Sequence, residues 1–266
     1  MNKAEFEKAV SGLPIPKVGF YPTMGSTNDI VTEWARQGVN GLALAVADEQ
    51  TRGRGRAGRR WLTPAGSALA FSLLLDPTAS LDKSHLGLAS GLGALAVAQT
   101  LEDLHLLSPK IKWPNDVLLD EKKVAGILAE AHWTGDRLQT LVLGIGINVA
   151  PESVPPAETL NFPATSVEDA LGKSVRSADL LRGVLTSLIS WLPRLGSPEF
   201  LQAWESRLAY QGQTVRLETG AKDVLEAQLH SLAADGGLKL RLTSGEMRVF
   251  QMGEIQLRPA VDSQSK

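Results

Sequence analysis

Ten residues dominate any chemical reading of this sequence: Arg52-Gly53-Arg54-Gly55-Arg56-Ala57-Gly58-Arg59-Arg60-Trp61, with five arginines, three glycines and no acid. Gly53, Gly55 and Gly58 formally spell the dinucleotide-binding pattern, which needs a helix opening directly behind it. Thr63-Pro64-Ala65-Gly66 prevents such a helix, so that reading fails. What remains is a flexible loop whose guanidiniums can clamp a carboxylate or phosphate bidentately. A solvated basic loop or an RNA-binding patch would use the same residues.

Four further clusters carry polar groups in apolar surroundings. Lys112-Trp113-Pro114-Asn115-Asp116 places a cation and an acid around a Trp-Pro step, and Asn-Asp readily makes a turn between strands. A plain hairpin turn over a buried Trp would look the same. Lys122-Lys123 leads into Val124-Ala125-Gly126-Ile127-Leu128, which as an ordinary feature is a solubilising strand edge. In Gly144-Ile145-Gly146-Ile147-Asn148-Val149 the glycines allow close backbone approach, and Asn148 is oddly polar. Ser26-Thr27-Asn28-Asp29 has the form of a helix start, with Ser26 as cap and Asp29 at the positive helix end.

The elements that must position these groups are legible in outline. The chain has 266 residues, 43% hydrophobic and 21% charged, enough for a sizeable core and too apolar for disorder. A net charge of −2 argues against a general nucleic-acid coat. Absence of cysteine removes disulfides, thiol nucleophiles and Cys-ligated zinc, and His85, His105, His132 and His230 lack metal-ligand spacing. No apolar run is long enough to span a membrane and the start lacks a signal-peptide block, so a cytoplasmic protein is expected.

Strands are expected at Lys17 to Pro22, Leu42 to Ala47, Ser67 to Leu75, Lys110 to Trp113, Val117 to Leu119, Val124 to Trp133 and Leu138 to Val149. Helices are expected from Ser26 to Gly38, His85 to Leu107, Ser166 to Leu171, Ser177 to Leu195 and Pro198 to Leu208, with a Pro-rich loop from Pro151 to Pro163. From Gly212 the pattern becomes short alternating strands: Thr214 to Leu217, Leu225 to Leu232, Leu238 to Leu242 and Met247 to Leu257. These suggest a small β-barrel leaning on its neighbour. Residues 261–266 read as a solvated tail.

Taken in order, Ser26-Thr27-Asn28, Gln50 with GRGRAGRRW, KWPNDV, KKVAGIL and GIGINV resemble the biotin protein ligase family, and Gly253 to Arg258 resembles its terminal strand. The resemblance runs from about residue 18 to 259. It implies an α+β fold: a mixed, largely antiparallel sheet backed by helices, like a class II aminoacyl-tRNA synthetase catalytic core, over residues 1–210. A small C-terminal SH3-like β-barrel would cover 211–260, ahead of the tail. The implied activity joins biotin and ATP, with Mg²⁺, into biotinyl-5′-AMP. Biotin then passes to a lysine of a biotin carboxyl carrier protein or domain.

By the family pattern Ser26, Thr27, Asn28, Gln50, Arg54, Gly55 and Arg56 would bind biotin, with Arg56 near its carboxylate. Lys123 would hold carboxylate and α-phosphate, and Asp116 would take a proton from the acceptor lysine. Arg59, Trp61, Lys112, Asn115 and Asn148 would serve the nucleotide, and no protein metal ligand is assigned. Ala68 and Ala70 stand where many members carry Asn and a larger aromatic residue, which predicts a reshaped pocket wall. The resemblance further implies the form lacking an N-terminal DNA-binding domain, with no specific DNA binding and no membrane. A homodimer is compatible with it. A lipoate–protein ligase is the nearest rival, but it is not expected to carry GRGRxGRxW beside KWPND. An RNA or anion binder would need more aromatic groups near the loop than Trp61.

Overall fold

A computed structural model describes residues 1–75, 85–135, 137–219, 223–251 and 255–259. The expected tail, and Gly253 and Glu254 of the last motif, lie outside the described residues.

Lys3–Val10 (α1) is a two-turn helix started by a reciprocal Asn2–Glu5 capping box. Lys17–Met24 (β1), Thr27–Arg36 (α2) and Ala43–Gln50 (β2) then form a strand–helix–strand crossover that leaves β1 and β2 parallel. Ala68–Leu75 (β3), Lys110–Lys112 (β4), Asp116–Leu119 (β5), Lys122–Thr134 (β6) and Arg137–Asn148 (β7) complete a seven-stranded sheet. Its order is β1-β2-β3-β7-β6-β5-β4, antiparallel at every pair except the first. The expected mixed, largely antiparallel sheet backed by helices is therefore the observed architecture.

Helices divide between the two sheet faces. His85–His105 (α3) and Ser177–Trp191 (α5) bury Leu92, Leu95, Leu101, Leu181 and Leu185 in the main core. Small residues let α3 approach closely: a methyl at Gly91 would overlap the Trp204 ring, and one at Gly93 would meet Ile127 at 3.0 Å. On the other face α2 packs Val31 and Trp34 on Ala43, Ala45, Leu74 and Val142. That face continues beyond the helix as a row of small residues, because Ala47, Ala70, Gly146 and Gly126 pair in register across β2, β3, β7 and β6. Asp116 ends the row on β5. Val167–Leu171 (α4) and Pro198–Glu205 (α6) start with side-chain caps from Ser166 and Ser197.

Two local expectations are corrected. Ser26 occupies the cap position of α2 but makes no capping hydrogen bond; it is buried, not turned onto the helix end. The single strand expected from Met247 to Leu257 is two. Met247–Phe250 (β11) pairs with Leu238–Leu242 (β10), and Ile255–Pro259 (β12) pairs with Thr214–Thr219 (β8). With Asp223–Leu232 (β9) they form a five-stranded antiparallel sheet, β11-β10-β9-β8-β12, in which those two strands are opposite edges. Val249-Phe250 interrupts the alternation and Gly253 is a turn-forming residue, slight marks in a run that resumes alternating at Glu254.

The second sheet is tied to the first. Trp113 donates its indole N–H to the Gly236 carbonyl at 2.9 Å, and Glu205 accepts from the Leu232 backbone at 2.9 Å. Trp204, fully buried, fills the space between α3 and the turn at Gly236.

Candidate functional site

The arginine segment leaves β2 at Gln50 and returns at Thr63 as an irregular hairpin. Gln50 N–H donates to Thr63 O at 3.3 Å, Trp61 N–H to Gly53 O at 3.0 Å, and Gly55 N–H to Arg59 O at 2.7 Å. A 3-10 turn over Arg56–Gly58 makes the tip, with Ala57 and Gly58 at positive φ of 54° and 71°. Glycine is required at 53, where a Cβ would run into the Trp61 carbonyl. No helix opens behind the glycines, as the sequence predicts. These bonds fold the segment back over the small-residue row, with Trp61 against Gly146 and Gly126.

Beneath it is a cavity of about 440 Å³, within the range of small-molecule sites. Every residue that the resemblance assigns to biotin, nucleotide or proton transfer lines it: Ser26, Thr27, Asn28, Gln50, Arg54, Gly55, Arg56, Arg59, Trp61, Lys112, Asn115, Asp116, Lys123 and Asn148. Glycines of β6 and β7 explain the approach. The Trp61 indole sits where a side chain at Gly146 would be, and Asn28 where one at Gly144 would be. The indole N–H of Trp61 is buried with no acceptor among the described residues.

The floor is a hydrogen-bonded polar network. Gln50 Oε1 accepts from the Thr27 backbone N–H at 2.9 Å and hydroxyl at 3.1 Å, while its Nε2 donates to Thr63 Oγ1 at 3.1 Å. The Ser72 hydroxyl reaches Thr27 Oγ1 at 2.6 Å and also Asn28 Oδ1. Asn28 Nδ2 donates to Glu130 Oε2 at 2.6 Å. Burying Thr27 and Asn28 below 5% exposure is tolerable because both are paired.

Cations crowd the other end. Lys123 Nζ lies 2.6 Å from Asp116 Oδ1 and 5.5 Å from the Trp61 ring centre. Its backbone is gripped by the Pro-rich loop, donating to Pro163 O at 2.8 Å and accepting from Thr165 N–H at 3.0 Å. Arg56 donates to Asn115 Oδ1 at 3.1 Å, and Asn115 Nδ2 donates to Ile127 O at 2.8 Å. Burial, followed by the Arg59 charge, lowers the Arg56 pKa, and Asp116 opposes that shift. Lys112 Nζ stands 3.9 Å over the Phe162 ring, and Asn148 Nδ2 holds Thr165 O at 3.1 Å. Such a site suits a ligand with an apolar body and several anionic groups.

The sequence pattern of the Biotin/lipoate A/B protein ligase family matches residues 20–148. A biotin–[acetyl-CoA-carboxylase] ligase of Paracoccus denitrificans is 35% identical over 193 residues, 70% of this chain and 79% of that protein. The bifunctional ligase/repressor BirA of Bacillus subtilis is 36% identical over 167 residues, 62% of this chain; the match spans 50% of that relative's length. A biotin protein ligase from Aquifex aeolicus, solved in complex with biotin and ATP, superposes with a TM-score of 0.78 at 32% identity, covering 92% of this chain and 100% of that one. The chain belongs to the biotin protein ligase family.

In this biotin protein ligase family member some placements were not foreseen. Arg54 lines the cavity, yet its guanidinium pairs with Asp29 Oδ1 at 2.8 Å and Glu130 Oε2 at 3.2 Å. The hydrogen bond that it donates to Asp29, and then Glu130, raise its pKa above the ordinary guanidinium value against the opposing effect of burial. Ala68 and Ala70 are buried in β3, and neither lines the cavity. Glu130, Ser72, Thr63 and Phe162 escaped the sequence reading. Only Glu130 left a trace, as an acid inside the apolar run Val124 to Trp133.

Proposed function

We propose that this chain activates biotin with ATP as biotinyl-5′-AMP and passes the biotinyl group to a lysine of a biotin carboxyl carrier protein or domain. One observation carries the reading. In a chain of this family, cationic side chains from the arginine loop, β4 and β6 converge on a single cavity whose floor is small and polar. The Aquifex aeolicus relative, described as a complex with biotin and ATP, supports the substrate pair.

In the first step a biotin carboxylate oxygen bonds to the α-phosphorus and pyrophosphate leaves. Bringing two unit negative charges to 4 Å costs about 1 kcal/mol in water and about 4 at an effective dielectric of 20. Lys123 and Arg56 offset that repulsion where charge accumulates. Ser26, Thr27, Asn28, Gln50, Arg54 and Gly55 form the biotin end. Arg59, Trp61, Lys112, Asn115 and Asn148 form the nucleotide end, with Trp61 closing over the adenylate.

In the second step the acceptor amine attacks the acyl carbon and AMP leaves. That amine, with an ordinary pKa near 10.4, is almost wholly protonated at pH 7 (about). Asp116, already a partner for an ammonium at 2.6 Å, is placed to receive the proton. Among the described residues no three His, Asp or Glu side chains come together in a way that could hold a metal ion. Among the described residues Asp116 is the carboxylate that lines the cavity, and it would be the side chain nearest in kind to a Mg²⁺ ligand, the ion supplying neutralisation of phosphate charge.

Residues 1–210 form the catalytic unit in this reading and 211–260 an SH3-like barrel. Phe250 and Ile255 lie on opposite edges of the second sheet, which would stand about 19 Å apart if it were flat. Five chain steps span at most about 18 Å, which favours a strongly curled sheet. No described helix is long and apolar enough to cross a membrane. A cytoplasmic enzyme without specific DNA binding, free to form a homodimer, is the setting we infer.

Biotin-dependent exchange of labelled pyrophosphate into ATP tests the activity. Exchange with biotin and Mg²⁺ is expected. Its absence from a folded preparation would overturn the proposal, and exchange driven by lipoate instead would move the substrate to that class.

A further inference from the structure

Glu130 belongs to β6, does not line the cavity, and yet touches both sides of it. Its Oε2 accepts from Asn28 Nδ2 on the floor at 2.6 Å and from Arg54 in the loop at 3.2 Å. Asp29, at the start of α2 and also outside the cavity, holds the same Arg54 nitrogen at 2.8 Å. Both acids instead line a cleft on the outer side of the loop. An unbroken polar chain therefore runs Thr63–Gln50–Thr27–Ser72–Asn28–Glu130–Arg54, from the loop's return to its middle. The loop needs such a counterweight. Five like charges on a glycine-rich segment favour an open, spread state, and two carboxylates on fixed elements oppose it.

We propose that Asp29 and Glu130 are positioning residues that grip Arg54 from outside the cavity, hold the arginine loop closed, and so set how long biotin and its adenylate remain bound. The proposal rests on the adenylation reading above. It gives the Arg54 side chain a task distinct from contact with ligand. Because the grip is electrostatic and part-exposed, with Arg54 39% and Asp29 51% accessible, salt must weaken it.

The test uses D29N, E130Q and the double variant of the full chain. Glutamine at 130 still offers an oxygen to Asn28 while losing its charge toward Arg54, which spares the floor. Asp29 is half-exposed, so D29N alone keeps the test valid if E130Q disturbs folding. Limited trypsin digestion of the ligand-free protein should cut the double variant between Arg52 and Arg60 about three- to ten-fold faster than the parent, with single variants between. Raising NaCl to roughly 0.5 M should speed cutting of the parent and leave the double variant unchanged. Biotin release, followed by tryptophan emission, should accelerate by a similar factor in the double variant, while D29N keeps the exchange rate at saturating biotin. Glu33→Gln, an exposed charge further along α2, should behave as parent. If the parent binds biotin but the double variant is cut and releases biotin at parental rates, the grip is overturned and the adenylation reading stands. If the double variant is cut faster but the parent shows no biotin-dependent exchange, the adenylation reading fails and the loop contact stands.

Discussion

Lys122 and Lys123 are neighbours of one type, and only geometry separates them. Lys122 is exposed, whereas Lys123 reaches Asp116 and the edge of the Trp61 ring inside the cavity. Lys123→Met should therefore slow biotin-dependent pyrophosphate exchange by about a hundredfold or more, the usual effect of losing one preorganised donor at a developing charge. Lys122→Met should exchange within about twofold of the parent, as surface substitutions usually do. Equal rates for both variants would remove Lys123 from the reaction. The sequence carried most of the site at this scale because arginines, lysines and asparagines in apolar surroundings are conspicuous. It hid Glu130, whose meaning comes from partners 102 and 76 residues earlier in the chain. It hid the double use of Arg54 too, since a residue type does not say which way its side chain turns.

Strands and helices were easier to read than their joins. The glycines of β7 announced a close approach, and the structure supplies what approaches: Asn28 at Gly144 and the Trp61 indole at Gly146. Gly146→Ala should displace Trp61 while leaving the sheet intact, because the loop can yield where a packed core cannot. The expected result is a near-parental melting temperature with a lower share of adenylate passed to an acceptor and more lost to water. That share is measured as biotinylated acceptor per AMP released, and an unchanged ratio would mean Trp61 does not shield the anhydride. Ser26 shows the limit of motif reading. It sits at the predicted helix start, but its buried side chain contributes nothing to the cap. The β11–β12 break left only the Val249-Phe250 doublet and Gly253 as marks, because alternation reports which face a residue takes, not which neighbouring strand it pairs with.

The two sheets share a core at the scale of the molecule, where one apolar cluster includes Leu92 and Trp204 as well as Leu229 and Leu240 of the second sheet. One cooperative unfolding transition is the expectation for the parent. Trp204→Ala, which empties the space between α3 and the Gly236 turn, should cost about 3–5 kcal/mol and split that transition in calorimetry. A single peak in the variant would mean the sheets remain coupled through Trp113, Glu205 and the rest of the shared core. The same continuity has a consequence in time. The cavity's floor and cations come from residues 26 to 148, but its wall also takes Leu257, and Trp113 anchors to Gly236. A chain made from its N-terminus displays the arginine loop, the glycine row and Lys123 long before those later partners exist. A product interrupted ahead of Trp204 would carry every cation of the site but lack Leu257 and the Gly236 anchor of Trp113. Every cation of the proposed adenylation site is therefore made before the partners that join it to the second sheet.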